Sequence, residues 1–180
     1  FTGYISPLRN ATTLKELEEF PLDDMSDWDF SYMPALVEQA HAAGRFAIGS
    51  IGHMYETAWQ IRGYEEFLVD ILDRPAWAEC LLERIAQQNG VKARAFARAG
   101  VEMLHCGDDV ASQQALIFSP AVWRGMHLSR WSKVWAAAKE IHPGVRVWYH
   151  SDGNITDIVG PLIEAGVDIL NPVRSEEHTS

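Results

Sequence analysis

Short apolar runs alternate with longer segments in which apolar and polar positions are mixed. Four of the runs, Phe46–Ser50, Val101–Cys106, Val145–His150 and Val167–Leu170, are short enough to predict β-strands. Each run is almost continuously apolar rather than alternating, which is typical of strands buried on both faces. The pattern therefore predicts a parallel sheet covered by helices.

The segments between these runs predict helices. They cover residues 15–20, 32–43, 53–62, 64–73, 75–99, 120–141 and 155–165. Gly44, Gly100 and Gly166 directly follow three of them, in the position where helices commonly end. Pro75 and Pro120 lie at first turns, where proline is tolerated. Strands and helices thus alternate along the chain, which predicts an α/β fold.

Two architectures fit this alternation, an open doubly wound sheet and a (β/α)₈ barrel. No GxGxxG or GxxxxGK[ST] motif follows any predicted strand, which disfavours the nucleotide-binding open sheets. A complete barrel needs about 250 residues, whereas this chain has 180 and begins at Phe1. We therefore predict a partial (β/α)₈ TIM barrel, truncated at both ends.

Composition narrows the class of protein. Hydrophobic residues make up 47% and charged residues 22% of the chain, which are ordinary values for a globular domain. A net charge of −10 disfavours nucleic acid and anionic membranes as partners. No apolar run approaches the roughly 18 residues that a membrane-spanning helix needs. The two cysteines cannot form a disulfide scaffold, and we expect a cytoplasmic protein.

The last seven residues, 174–180, interrupt a pattern that is still running at Pro172. Their sequence, RSEEHTS, is also the translation of a common sequencing adapter. We therefore predict a domain over residues 1–173 and a non-native tail over 174–180.

Polar side chains concentrate where the predicted strands end. They are His53, Tyr55, Glu56, His105, Cys106, Asp108, Asp109, Ser112, His150, Asp152, Asn154 and Asn171. The carboxyl ends of parallel strands meet at one edge of the sheet, where the active sites of both architectures lie. The sequence therefore predicts one polar site.

Within this set, His150 and Asp152 are the most informative pair. If the strand continues through Asp152, two residues at this spacing point to the same side. They could then bind Zn²⁺ or another divalent metal, or act as a base with an orienting acid. Alternatively, Asp152 and Gly153 simply form a turn. Cys106 has two interpretations as well, a metal ligand or a small buried hydrophobic residue.

Several segments together resemble the uroporphyrinogen decarboxylase superfamily. They are GDDVAS (107–112), IFSP (117–120), YHSDGNI (149–155), LIEAGVDILNP (162–172) and residues 47–73, which include WQIRG (59–63). The resemblance implies a (β/α)₈ barrel. The superfamily contains decarboxylases of uroporphyrinogen and zinc-dependent methyltransferases that exchange methyl groups with corrinoid proteins.

The resemblance also implies which residues each branch needs. The methyltransferases hold zinc with a His-x-Cys pair and a later cysteine. His150 matches that histidine, and Asp152 stands where the first cysteine would be. The decarboxylases rely on arginines and an aspartate near the chain start, and on a tyrosine that would fall around Trp59 or Gln60. Neither residue is tyrosine, which counts against uroporphyrinogen decarboxylation.

We therefore expect metal-assisted methyl transfer linked to a corrinoid protein, with Zn²⁺ held by His150 and Asp152. The expected catalytic groups are Asp108, Asp109 and His150. The expected substrate-binding groups are His53, Tyr55, Ser112, Asn154 and Asn171. The alternatives are a decarboxylase that needs no cofactor, and a non-catalytic barrel that binds a tetrapyrrole. The partner would be a corrinoid protein, a small tetrapyrrole or a methylated substrate. Because open sheet edges would remain, we expect the isolated chain to be inactive.

Overall fold

The computed structural model describes residues 5–173, in which helices alternate with four β-strands. The α-helices are α1 (Leu14–Glu18), α2 (Met33–Ala42), α3 (Tyr55–Arg62), α4 (Tyr64–Asp73), α5 (Pro75–Ala99), α6 (Pro120–Trp123), α7 (Ser129–Ile141) and α8 (Thr156–Ala165). The strands are β1 (Ile48–Gly52), β2 (Met103–Gly107), β3 (Arg146–His150) and β4 (Ile169–Asn171). The predicted alternation is therefore confirmed.

The four strands form one parallel sheet in the order β1-β2-β3-β4, so each strand lies beside the next one in the chain. The strands start later than the apolar runs predict. Val101 illustrates why, since it is buried but its backbone N–H donates to the carbonyl of Phe96 in α5. Its apolar side chain thus belongs to the end of a helix rather than to a strand. The parallel α/β prediction is confirmed all the same.

One face of the sheet packs against the helices. Cys106 and Tyr149 are fully buried there, and Tyr149 meets Trp131 and Trp135 of α7 at ring-centroid distances of 6.4 and 5.9 Å. Burial raises the pKa of the Cys106 thiol. Trp131 and Trp135 are themselves fully buried, so they belong to the core. Of the two interpretations of Cys106, the structure supports the buried hydrophobic residue.

The opposite face of the sheet carries the other set of alternating side chains. His105 of β2 packs edge-to-face against Trp148 of β3, with ring centroids 4.9 Å apart. Ile48 and Ile169, on the two outer strands, are 49% and 38% exposed. His150, the last residue of β3, lies on this same face as Trp148. Its side chain therefore lies at the carboxyl edge of the sheet.

The predicted helix 120–141 is divided in the structure. Between α6 and α7, residues Arg124–Leu128 form a π-helical turn. His127 in this turn is fully buried and stacks on Phe118, with centroids 4.9 Å apart. Burial lowers the pKa of His127 to about 3, so this histidine is neutral. The His127 ring also packs edge-to-face against Tyr55 of α3, with ring centroids 5.7 Å apart.

The remaining predictions concern the chain end and membranes. The predicted non-native tail, 174–180, lies outside the described residues. Among helices of residues 5–173, none is both long enough and apolar enough to cross a membrane.

Candidate functional site

Asp108 follows β2 directly and is buried completely. Its Oδ1 accepts hydrogen bonds from the backbone N–H groups of Met54 and Tyr55, both at 2.7 Å, and its Oδ2 accepts one from Trp131 Nε1 at 2.8 Å. Burial raises the pKa of Asp108 to about 7 despite these bonds. Asp108 thus holds the first turn of α3 against β2 and α7. Its predicted catalytic role stays a prediction.

Asp109, His150 and Asp152 come together at the carboxyl edge; we name them the Asp109 cluster. One ligand atom from each lies within 4.8 Å of the others. His150 Nε2 is 3.8 Å from Asp109 Oδ1, and the same oxygen accepts a 2.7 Å hydrogen bond from the backbone N–H of Asp152. β3 ends at His150, as predicted, so strand continuation does not bring Asp152 to His150. The hydrogen bond from its backbone to Asp109 places Asp152 there instead.

Asn171, at the end of β4, fixes how the His150 ring is used. Its Oδ1 lies 2.9 Å from His150 Nδ1, which therefore carries the hydrogen and donates it. In the neutral ring the lone pair is then on Nε2, the nitrogen that faces Asp109. Asn171 was predicted to bind substrate; the structure shows it orienting a candidate ligand, a contact typical of metal sites.

The Asp109 cluster fits a divalent cation by its donor chemistry. One imidazole nitrogen and carboxylate oxygens from two residues converge, and the side chains of His150 and Asp109 are 32% and 43% exposed. Nitrogen and oxygen donors suit Zn²⁺ and harder divalent metals. Three protein ligands would leave positions for substrate or water, as in catalytic rather than structural sites.

A second group, the His53 cluster, consists of His53, Glu56 and Asp108. His53 Nδ1 lies 2.6 Å from Glu56 Oε2 and 2.8 Å from the carbonyl oxygen of Gly107. Hydrogen bonding to Glu56, opposed by partial burial, raises the pKa of His53 to about 9. The sequence predicted Glu56 as part of the polar site at the strand ends but assigned it no role of its own. Its spacing of three from a histidine at a helix start is the signal that finds this pair.

In the His53 cluster, Asp108 and Nδ1 of His53 already have partners within the protein. Both oxygens of Asp108 accept protein hydrogen bonds, and Nδ1 of His53 faces two acceptors. A cation would have to displace these contacts and uncap α3. The three residues are grouped by proximity alone. Their contacts are those of a His53–Glu56 ion pair and of a carboxylate, Asp108, that caps the first turn of α3.

Comparison with known proteins adds family membership to this geometry. The family model described as Uroporphyrinogen decarboxylase (URO-D) matches residues 5–173. The chain belongs to the uroporphyrinogen decarboxylase family. Among solved structures, a methyltransferase from Methanosarcina mazei superposes with a TM-score of 0.62 and 18% identity. The match covers 78% of this chain and 40% of that chain, so the protein spans less than half of its neighbour. Curated proteins give no significant match.

Membership of the URO-D family assigns the four-stranded sheet to a (β/α)₈ barrel, as predicted. In such barrels the active site lies at the carboxyl ends of the strands. The Asp109 and His53 clusters both occupy that edge, on β1, β2 and β3. Gly107 lies between them: its carbonyl accepts from His53, and a Cβ there would come within 2.1 Å of the His150 carbonyl oxygen.

Three other residues of this URO-D protein that were predicted to bind substrate are engaged in contacts within the protein. Tyr55 is 1% exposed and packs against Phe118, with centroids 5.3 Å apart, so the structure places its ring in the core. The backbone N–H of Asn154 donates to the carbonyl of Ser112 at 2.7 Å, and Asn154 Oδ1 accepts from the backbone of Thr156. Ser112 and Asn154 thus tie the two loops beside the Asp109 cluster together. Their contact with substrate stays a prediction.

Proposed function

We propose that this URO-D family protein carries out metal-assisted methyl transfer linked to a corrinoid protein. Asp109, His150 and Asp152 would hold the metal. The observation that carries the proposal is their convergence within 4.8 Å at the carboxyl edge, with Nε2 of His150 turned toward Asp109. The similarity of the fold to a protein named as a methyltransferase supports the choice of reaction.

The proposed metal is Zn²⁺, which accepts nitrogen and oxygen ligands. A divalent metal held here would act as a Lewis acid on a substrate atom. Two carboxylates donate less charge than thiolates would, which leaves a harder cation that favours oxygen over sulfur in the substrate. Aspartate in place of the expected cysteine at position 152 would therefore favour substrates that bind the metal through oxygen.

The chain's own residues would have distinct duties. Asn171 Oδ1 accepts the hydrogen bond that Nδ1 of His150 donates, so in the neutral ring the lone pair of Nε2 is free to bind the cation. Asp109 holds the backbone of Asp152 in place as well as offering an oxygen. Gly153, at a φ of 85°, brings the loop so close to Ala111 that a Cβ would lie 2.4 Å from its carbonyl oxygen. That close approach places Asp152 beside β2.

The test is a calorimetric titration of the chain with zinc. We expect saturable binding in the wild type, and loss of at least about 100-fold in affinity in His150→Ala, because one of three ligands is removed. His142→Ala, which removes a histidine at the end of α7, is the matched control and should bind zinc as the wild type does. Undiminished zinc binding by His150→Ala would contradict the proposal.

The decarboxylase alternative makes a different prediction for the complete protein. It would convert uroporphyrinogen to coproporphyrinogen in the presence of a chelator, and the His150→Ala variant would keep its activity. A non-catalytic tetrapyrrole-binding barrel would bind the tetrapyrrole without turnover. Either result would replace metal-assisted methyl transfer as the function.

A further inference from the structure

A groove of about 280 Å³ lies between α5, α7 and the loop that contains Asp24 and Ser26. Ala86 and Gly90 of α5 line this groove and are buried, so these two small residues form its floor. Of the described residues that line the groove, none belongs to either cluster at the carboxyl edge of the sheet. The groove is therefore separate from the candidate metal site.

Basic side chains outnumber acidic ones among the described residues of the groove. Arg94 of α5 and Arg130 and Lys133 of α7 are the basic ones, and Asp24 and Glu83 are the acidic ones. Three positive against two negative groups give the groove a local formal charge of +1, whereas the whole chain carries −10. A locally positive groove on a strongly acidic protein favours an anionic ligand at that place.

Arg130 is the basic group of the groove that the protein itself engages. Its Nε donates to Glu83 Oε2 at 3.1 Å, and its Nη1 donates to a backbone carbonyl at 2.7 Å. The charge of Arg130 is therefore balanced by Glu83, and its position is fixed. Arg94 and Lys133 remain as the basic groups available to a ligand, against the single carboxylate of Asp24.

Arg94 is half-buried and differs from Arg130 in its contacts. Within residues 5–173, no group accepts a hydrogen bond from Arg94 or forms an ion pair with it. Its guanidinium lies over Gly90, one turn earlier on α5, since a Cβ on Gly90 would come within 3.3 Å of Nη1. Glycine weakens a helix interior relative to alanine, but here it leaves room for the guanidinium beside the helix. Arg94 thus brings a fork of unused N–H donors to the groove.

We propose that this groove is a binding site for a small oxyanion ligand, a phosphate or carboxylate compound, held by Arg94 and Lys133. A guanidinium binds either anionic group through two parallel hydrogen bonds. Lys133, which is exposed at the side of the groove, supplies a second positive charge. The site stands independently of methyl transfer, because it shares no residue with the Asp109 cluster.

The volume of the groove limits the size of the ligand. About 280 Å³ is less than the roughly 300–1,000 Å³ of sites that hold drug-sized molecules. A dinucleotide or a tetrapyrrole is larger than that, so the ligand is a small metabolite with one or two anionic groups. The side-chain oxygens of Asp24 and Ser26, on the loop side, would accept hydrogen bonds from its hydroxyl or amino groups.

The test is a calorimetric titration of the chain with inorganic phosphate and, separately, with citrate, at an ionic strength held constant with sodium chloride so that screening does not change. We expect saturable binding by the wild type and a loss of about tenfold or more in affinity in Arg94→Gln, since charged hydrogen bonds are removed. Arg98→Gln is the matched control: Arg98 lies one turn further along α5, is exposed and lies outside the groove, so this variant should bind as the wild type does.

A second variant separates binding from folding. In Gly90→Ala the three atoms nearest to the new Cβ all belong to Arg94, so the guanidinium must move while the backbone stays in place. We expect weaker anion binding together with an unchanged or higher midpoint of unfolding in urea, because alanine favours the helix.

Saturation by phosphate alone, by citrate alone or by both would support the site and assign the anionic group of its ligand. Absence of saturation with both anions, undiminished binding by Arg94→Gln, or an equal loss in Arg98→Gln would overturn it. Zinc binding by the Asp109 cluster is measured separately, so the failure of one proposal is distinguishable from the failure of the other.

Discussion

The Asp109 cluster and the His53 cluster contain the same kinds of side chain, one histidine and two carboxylates each, and lie at the ends of neighbouring strands. They differ in what their polar atoms already bind. In the His53 cluster, Asp108 is fully buried and both of its oxygens accept protein hydrogen bonds. In the Asp109 cluster, the ring of His150 is held through Nδ1 and turns Nε2 to its neighbour.

The convergence of ligand atoms is therefore not sufficient to identify a metal site. A carboxylate that caps a helix cannot be withdrawn without leaving buried donors unsatisfied, at about 1–3 kcal/mol for each. A histidine whose distal nitrogen is hydrogen-bonded is prepared for a ligand at the other nitrogen. These hydrogen bonds show a supporting role for Asp108 in the His53 cluster, and they favour the Asp109 cluster for the metal that we propose.

The largest expected effect would break both clusters at once. In Gly107→Ala, the new Cβ would lie 2.1 Å from the carbonyl oxygen of His150, which is backbone and cannot turn away. We expect a loss of about 3 kcal/mol or more in the free energy of unfolding. Gly160→Ala is the control, since nothing lies within 4 Å of its Cβ and α8 should gain up to about 1 kcal/mol. Equal stability of the two variants in urea would refute the close approach.

The next prediction separates the two neighbouring aspartates. Asp108→Ala should lower the free energy of unfolding by about 3 kcal/mol, because the N–H groups of Met54 and Tyr55 and the Trp131 indole lose their acceptor. Asp109→Ala should cost less than about 1 kcal/mol, since Asp109 is 43% exposed, but should weaken zinc binding. Denaturant unfolding and calorimetry measure the two effects. A larger loss of stability in Asp109→Ala than in Asp108→Ala would contradict the structural role that we give to Asp108.

The third prediction concerns how the free energy of unfolding depends on pH through His53. The pKa of His53 is raised from 6.5 to about 9, so the folded protein holds a proton there that the unfolded chain has released. This contribution is complete below pH 6.5 and is lost as the pH rises toward 9. We expect the free energy of unfolding to fall across that window, modestly because the ring is 40% exposed. Glu56→Gln should flatten this fall, and an unchanged slope would argue against the ion pair.

The smallest expected effect concerns the indole that reaches Asp108. Trp131→Phe removes the 2.8 Å hydrogen bond to Asp108 Oδ2. Trp123→Phe makes the same change at an equally buried ring whose Nε1 has no hydrogen-bond partner among the described residues. We expect Trp131→Phe to be about 1.5 kcal/mol more destabilising, the value at which the ranges for hydrogen bonds to neutral and to charged groups meet. Equal melting temperatures would mean that this bond contributes nothing.

Much of the fold could be predicted from the sequence, because proline and glycine residues mark where helices begin and end. The bounds of α5, Pro75–Ala99, were predicted at both ends, since proline starts the helix and Gly100, at a φ of 82°, ends it. The π-helical turn was not predicted, because the spacing of Trp131 and Trp135 fits an uninterrupted helix equally well. A change in backbone hydrogen bonding, such as this π-helical turn, cannot be predicted when it leaves the pattern of apolar residues unchanged.

The site was predicted less completely, for a physical reason. The sequence placed His150, Asp152 and Asp109 at one edge, because the carboxyl ends of parallel strands converge. It could not separate Asp108 from Asp109, which are adjacent acids with opposite orientations: one points into the core and the other to the edge. It also missed that Asn171 holds His150 across 21 residues of chain, since such contacts depend on register.

Of the two clusters, we propose that the Asp109 cluster alone binds a divalent metal. The most direct test is a cobalt(II) titration of the chain followed by visible absorption, with Asp152→Ala and Glu56→Gln as matched variants. We expect a single saturable ligand-field spectrum that Glu56→Gln retains and Asp152→Ala loses. A spectrum that is lost in Glu56→Gln and kept in Asp152→Ala would contradict it, since the metal would then lie in the His53 cluster.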